Sequence, residues 1–260
     1  MKRLLIISDL HCGHRGGLTP PKWQYSPYDD DNVLGKFGKL QSTVWDWYAK
    51  QIESVGPVDL LVVNGDAIDG KGAKSGGVEQ LTSDRREQCE IAKIAVDLVD
   101  RKKTLIIKGT PYHTSSEGED WEDVLADMVR ANDVGAHEWV EADGVIFDFK
   151  HKVGSSMIPH GRLTAPLRSS LWNSLWAEQG LQPRADVIVR SHVHYHVYGG
   201  MAGTMVMTTP CLQAWSKYGT VQCEGLIDLG MVLFECEKGG YTWGARLLNL
   251  EFMAAQSLRL

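Results

Sequence analysis

Several features are missing from these 260 residues, and each absence narrows the field. No apolar run approaches the ~20 residues that span a bilayer, so a membrane-spanning helix and a membrane role are not expected. Cysteine is sparse: Cys12, Cys89, Cys211, Cys223 and Cys236 are odd in number and scattered, with no Cys-x-x-Cys pair. Neither a disulfide framework nor a thiolate zinc site is expected from that pattern. Positive charge is not in excess, with 27 Lys and Arg against 33 Asp and Glu, a net charge of −6 and a pI near 5.8. A long basic face for duplex binding would push the pI above ~9, so strong sequence-independent binding of nucleic acid is disfavoured. A nucleic-acid substrate held at a local site remains compatible with the charge. There is no repeat of fixed period and no low-complexity tract. The apolar stretch Leu4–Ile7 is too short for a signal peptide, and with the cysteine usage it sets the expectation of a reducing, cytoplasmic compartment.

What is present is an ordinary globular composition, 43% hydrophobic and 23% charged. The length fits one domain over 1–260, large enough to bury a core without disulfide or metal. Short β-branched runs read as buried strands: Leu4–Ile7, Leu60–Val63, Leu105–Ile107, Val145–Phe149 and Val187–Val189. Between them, Asp84–Lys103 places Ile91, Ile94, Ala95 and Leu98 on one helical face. Glu119–Ala131 and Ala165–Gln179 follow the same pattern, and Gln41–Val55 follows it more weakly. Alternating strands and helices imply an α/β layered fold. After His194 the pattern changes. Met205–Thr209, Met231–Glu237 and Tyr241–Leu248 read as strands, the last two joined at Lys238-Gly239-Gly240, which predicts an antiparallel C-terminal part. Gly13–Gly38, rich in Gly, Pro, Tyr and Asp, is expected to be a long loop insertion over one end of the sheet.

The chemistry stands where the strands end. The first strand runs into Asp9-Leu10-His11 and the second into Asn64-Gly65-Asp66-Ala67-Ile68-Asp69. The third runs into Gly109-Thr110-Pro111-Tyr112-His113, the fourth into His151, and the fifth into His192-Val193-His194. Ligands of open α/β sheets sit beyond the carboxyl ends of strands, and here five strands deliver Asp or His to that edge. Asp9 and His11, like His192 and His194, are two apart, so in extended chain each pair points the same way. A mixed imidazole–carboxylate set suits Mn²⁺, Fe or Zn²⁺, whereas carboxylates alone would favour Mg²⁺ or Ca²⁺. Five or six such groups exceed the needs of one catalytic ion and suit two ions sharing a carboxylate. Singly, each motif has a bland explanation as a turn or an exposed strand end; together they point to a metal site.

This ordered set resembles the calcineurin-like metallophosphoesterases. That family carries Asp-x-His, Gly-Asp-x-x-Asp, Gly-Asn-His, a lone His and Gly-His-x-His, each after a strand. Asp9/His11, Gly65-Asp66…Asp69 and Ser191-His192-Val193-His194 match, with Ser191 where the family has Gly. The resemblance covers residues 1 to about 200. It implies a layered sandwich of mixed β-sheets flanked by helices, and a metal-dependent hydrolase of phosphoester bonds. It also implies two divalent ions, Mn²⁺ foremost, with Fe, Zn²⁺ or Ni²⁺ as alternatives. Asp9, His11 and His194 would hold one ion, His151 and His192 the other, and Asp66 would bridge them. A metal-activated hydroxide would attack phosphorus, His113 would protonate the leaving oxygen, and Asp69 would orient His113.

The pattern departs from the family at two places. Thr110 stands where Asn would be a ligand, so it is a possible metal or water-mediated ligand, and His113 arrives two residues late. Gly70-Lys71 follow Asp69 where protein phosphatases of the family carry Arg, which favours a phosphodiesterase or nuclease over a protein phosphatase. The fourth His is open between His151, which follows its strand at once, and His160, which precedes a Gly; His151 is preferred. His14 and His196 are expected on exposed loops, and His137 in a structural role. Substrate contacts are not assigned. Lys71, Lys74, Arg85, Arg86, Arg162 and Arg168 could meet phosphates or only solvent, and Trp23, Tyr25 and Tyr28 could stack on bases or pack as a lid. The phosphoester itself could be a nucleotide or a nucleic acid. An alternative from another class is a non-catalytic interaction module that keeps the fold.

Overall fold

A computed structural model describes residues 1–26, 33–72, 76–114, 120–216 and 227–250. Two mixed β-sheets pack face to face, with helices outside both. The first sheet contains β1 (Lys2–Ile7), β2 (Val58–Asn64), β3 (Arg101–Ile107), β4 (Asp133–Gly135), β10 (Leu229–Glu237) and β11 (Gly240–Leu248). Its order is β11-β10-β1-β2-β3-β4, parallel from β1 to β4 and antiparallel at β1–β10–β11. The second contains β5 (Glu138–Ala142), β6 (Val145–Phe149), β7 (Val187–Arg190), β8 (Val197–Met201) and β9 (Thr204–Thr208), in the order β5-β6-β7-β9-β8. There β6, β7 and β9 run parallel, and the two edge strands pair antiparallel.

Alternation along the strands builds the layers. Leu4 and Ile6 face Phe147, Phe149, Val187, Val189 and Phe234 between the sheets. Leu5 and Ile7 face the opposite way, onto Tyr48 and Ile52 of α1 (Val33–Val55) and Ile91 and Ala95 of α2 (Arg85–Asp97). On the far face of the second sheet, α5 (Thr164–Glu178) covers a much smaller cluster of Ala185, Ile188 and Val206.

Element ends differ from the sequence reading for identifiable reasons. Helix α1 begins at Val33, so 33–38, read as loop, are helical despite Gly35 and Gly38. A Cβ at Gly38 would collide with the Tyr25 carbonyl, so glycine there lets the 13–26 segment lie against the helix. Helix α2 stops at Asp97 rather than Lys103, and Arg101-Lys102-Lys103 open β3, where their charges mimic a solvated helix face. The β10–β11 turn is two residues, Lys238 and Gly239, both at positive φ, as a tight hairpin needs.

Candidate metal centre

β1, β2 and β3 of one sheet and β6 and β7 of the other end at a common rim. The chain does not leave these strands in extended form, as residue spacing alone suggested. Asp9 (φ 50), His11 (φ 43), Asp66 (φ 50), His192 (φ 75) and His194 (φ 57) all adopt left-handed backbone. Non-glycine residues seldom do so, and Asp and His are among the few side-chain types enriched there. The kinks bring the loops together: the amides of Asp9, His11 and Cys12 each donate, at 3.0 Å, to the carbonyls of Gly65, Asp66 and Ala67.

Three clusters result, each with ligand atoms within 4.8 Å of one another: Asp9–His11–His194, Asp66–His151–His192, and His11–Asp69–His113. Asp66 is the hub. Its Oδ2 lies 3.0 Å from His151 Nε2 and 3.9 Å from each of His11 Nε2, His113 Nε2 and His192 Nδ1. Asp9 Oδ1 lies 3.3 Å from His194 Nε2. His160 sits exposed in a short turn, Pro159–Gly161, and belongs to none of the clusters.

Hydrogen bonds fix which ring nitrogen faces the rim. His11 donates Nδ1–H to the Asp69 carboxylate (2.9 Å), and His151 donates Nδ1–H to the Asn64 carbonyl (2.8 Å). The Asp69 carboxylate therefore orients His11 rather than His113. His113 Nδ1 bonds instead to the backbone carbonyl of Asp69, at 2.7 Å, and lies 3.7 Å from its carboxylate. His113 reaches the rim despite its late position because Pro111 starts a single helical turn, α3 (Pro111–Thr114), whose first bond runs from the His113 amide to Thr110 O. Thr110 occupies the middle of the second cluster. Its Oγ1 is 3.2 Å from Asp66 Oδ2, 3.1 Å from His192 Nδ1 and 3.4 Å from His151 Nε2.

Two glycines make room. A Cβ at Gly65 would enter the His151 ring, and one at Gly109 would strike Asp66.

Charge follows from this packing. Burial alone would raise the Asp9 carboxyl, but the adjacent His194 and His151 bring it down to about 2. Burial drives His11 down to about 4. At His151 burial acts the same way, yet the Asp66 charge overrides it and lifts the imidazole to about 9. Asp66 itself is held well below the usual carboxylate range by its imidazole neighbours, against burial.

Two buried atoms at the centre lack a well-aligned hydrogen bond: His11 Nε2, and Asp9 Oδ1, whose contact is the ion pair with His194. His11 is neutral near pH 7 with its proton on Nδ1, so a bare lone pair points into the cluster. Such orphaned groups cost ~1–3 kcal/mol each. A cation held by Asp9, His11 and His194 satisfies both, so the residues present fit a divalent ion.

The sequence reading missed the supports behind these groups. Asn64 Nδ2 donates to Ser191 Oγ (2.6 Å), and Thr209 Oγ1 joins Ser191 to Ser8 (2.7 Å each), tying the two sheets together under the rim. Ser191 thus uses its hydroxyl where the family motif has Gly. Glu122, fully buried in α4 (Trp121–Val129), accepts from the amides of Ala67 and Gly109, pinning the residues beside Asp66 and Thr110. Burial pushes Glu122 up to about 8, reinforced by Asp66. Gln80 donates to the other oxygen of Asp69.

The remaining candidates disperse. His14 is buried rather than exposed, accepting from the Gly16 amide, because residues 14–18 fold back onto the β2 loop. His196 is half-buried and bonds Thr208 O, and His137 bonds Asp148. Trp23 packs against the core and donates to Glu87. Arg85 stacks on Trp121, and Arg162 on Tyr195. Lys74, Tyr28 and Cys223 lie outside the described residues. Among those described, no helix is long and apolar enough to cross a membrane.

No family model and no curated protein matches the chain. Solved structures do. Wild-type Vps29 from Entamoeba histolytica complexed with Zn²⁺ is 13% identical with a TM-score of 0.48, over 95% of this chain and 99% of that one. Vps29 from Chaetomium thermophilum is 8% identical with a TM-score of 0.44, over 95% and 97%. An archaeal phosphodiesterase is 14% identical with a TM-score of 0.43, over 94% and 99%.

Proposed function

We propose that the chain is a metal-dependent phosphoester hydrolase of the calcineurin-like metallophosphoesterase kind, acting on phosphodiesters in preference to phosphoproteins. The observation that carries this is Asp66 Oδ2 within 4.0 Å of four imidazoles, beside the orphaned Asp9 Oδ1 and His11 Nε2. Asp9, His11 and His194 would hold one divalent ion, His151 and His192 a second, and Asp66 would serve both. Mn²⁺ suits this donor set best, and Fe, Zn²⁺ or Ni²⁺ also fit. Ions held there supply Lewis acidity toward a phosphoryl group and toward the attacking water.

The chain's own residues do the rest. Asp69, fixed by Gln80, keeps the His11 proton on Nδ1 and leaves Nε2 free to ligate. The Asn64 carbonyl likewise holds His151 by Nδ1–H and turns its Nε2 toward Asp66. His113, anchored at Nδ1 by the Asp69 carbonyl, turns Nε2 to the rim, where it delivers a proton to the leaving alkoxide. The phosphodiester preference rests on Gly70-Lys71, which offer no Arg beside Asp69. Thr110 in place of an amide ligand favours the second reading, a non-catalytic module of the same fold.

Mn²⁺-stimulated hydrolysis of bis(p-nitrophenyl) phosphate, with elemental analysis of the reconstituted protein, decides between them. The expected result is bound metal and turnover, both lost on Asp66→Asn with the fold intact by circular dichroism. No tightly held ion in the wild type, or undiminished turnover in that variant, sinks the reading. A cyclic nucleotide and a phosphomonoester run alongside sort the ester class.

A further inference from the structure

A second site lies behind the rim, on the far face of the second sheet. Between that face and α5 is a cavity of about 550 Å³, within the ~300–1,000 Å³ usual for small-molecule sites. Its floor is a buried network in which Arg190 Nη1 donates to Asp148 Oδ1 (2.7 Å), with His137 Nε2 2.9 Å from the same oxygen. That network neutralises the one carboxylate in the lining. Lys150, Lys152 and Arg168 also line the cavity, and among the described residues none of the three side chains has an ion-pair or hydrogen-bond partner. The wall thus carries four cationic side chains against one carboxylate, on a chain whose net charge is −6.

Two indoles line the same wall. Trp172 and Trp176, one helical turn apart on α5, are 52% and 42% exposed, with ring centroids 6.4 Å apart and planes 28° from parallel. Helix α5 has little to bury on its own sheet, whose outer cluster is three buried residues with Ile146, Leu163 and Leu167 partly buried against them, and neither indole belongs to it. Flat π-faces beside unpaired cations are the pairing that recognises a base together with its phosphate. The cavity also adjoins the rim through the chain itself: Lys150 and Lys152 bracket His151, and Arg190 precedes Ser191-His192.

We infer that this cavity binds a nucleotide unit, its base stacked on Trp172 or Trp176 and its phosphate on Lys150, Lys152 and Arg168. The inference deepens the phosphodiesterase reading and rests on it for the link to turnover: a strand seated here runs on toward the metal rim.

The test separates the two claims. Binding of fluorescein-labelled decathymidylate is followed by anisotropy in EDTA, with AMP as competitor and tryptophan emission as a second signal. Trp172→Ala with Trp176→Ala is expected to weaken binding at least tenfold, and Trp172→Phe to restore most of it where Trp172→Ala does not. Arg168→Ala is expected to lower the salt slope by about one phosphate contact. All of these variants keep wild-type turnover of bis(p-nitrophenyl) phosphate. Displacement by AMP assigns the cavity to a single unit, and a strand that AMP does not displace assigns it to several. Binding indifferent to the tryptophan and arginine changes overturns the inference. So does tryptophan quenching that follows protein concentration alone, which would give the face to another polypeptide. Loss of phosphodiester turnover in the wild type would instead remove the catalytic reading and leave the binding result standing.

Discussion

Gly65→Ala isolates how the two sheets share the rim. Gly65 has φ 85 and stands where a Cβ would enter the ring of His151. Two effects add. A side chain in left-handed backbone costs about 1 kcal/mol. Displacing the fully buried His151 ring also forfeits its bond to Asn64 O and its contact with Asp66, roughly 1–2 kcal/mol more. Gly56→Ala provides the control, because Gly56 has φ 64 but a Cβ there meets nothing within 4 Å. In metal-free protein, urea denaturation should place Gly56→Ala about 1 kcal/mol below wild type and Gly65→Ala about 2–3 kcal/mol below. At ~2–4 °C per kcal/mol for a chain near this size, the melting temperatures should fall by about 2–4 °C and 4–12 °C respectively. Under the proposed function Gly65→Ala also loses the ion at Asp66–His151–His192, whereas Gly56→Ala keeps its full complement. Equal costs for the two variants would refute the steric coupling of Gly65 to His151.

Three further outcomes follow from the same geometry. His113→Asn should retain the bound metal and lose ~10²–10⁴-fold in rate, more with poorer leaving groups; loss of metal in that variant would make His113 a ligand. Glu122→Gln places an amide N–H against one of two backbone donors and should cost ~1–3 kcal/mol in urea denaturation, whereas an unchanged midpoint would mean that water replaces the contact. Metal-free stability should fall on the alkaline side. His151, raised from 6.5 to about 9, contributes fully below pH 6.5 and loses that contribution as the pH rises through 9, while Glu122, raised from 4.5 to about 8, acts in the same sense between pH 4.5 and 8. His11, lowered to about 4, opposes them between pH 4 and 6.5, so thermal melts in EDTA should weaken most between pH 6.5 and 9, and a flat profile there would refute this assignment.

The strands that deliver the ligands were readable because they are buried on both faces. Leu4–Ile7, Leu60–Val63 and Val187–Val189 are continuous apolar runs ending at a polar residue, which marks the rim. Edge strands β4, β5 and β8 were not: Asp133–Gly135 is three residues, and Val197–Met201 holds two glycines. Buried supports carry little signal either. Glu122 sits in the first turn of a helix, where an acidic residue is expected for the helix dipole alone. Ser191 stands where the resembled motif has Gly, and nothing in the sequence signals that Asn64 and Thr209 bond its hydroxyl.

The spacing of Asp9 with His11 predicts a shared direction and the two do share a cluster, but through another geometry, whereas His192 and His194, equally spaced, part into different clusters. In extended chain, side chains two apart lie about 7 Å apart along a strand face, too far to meet on one small ion. Left-handed backbone at each of these residues curls the chain so that Asp9 and His11 close on one another while His192 and His194 turn to separate clusters, and strain of ~1–3 kcal/mol per residue is the physical consequence. Five such residues at one rim are a large fraction of the ~5–15 kcal/mol by which a domain is stable. The amides of Asp9, His11 and Cys12 on the β2 loop, with Leu212 N on Asp9 O, recover part of it. Glycine at these positions would relieve the backbone and keep those amide bonds, so the loop conformation alone does not call for Asp and His. What glycine would forfeit is the set of side-chain ligand atoms, including the two that lack a well-aligned hydrogen bond in the protein. The strain is therefore better explained by something the side chains must hold than by anything the fold needs.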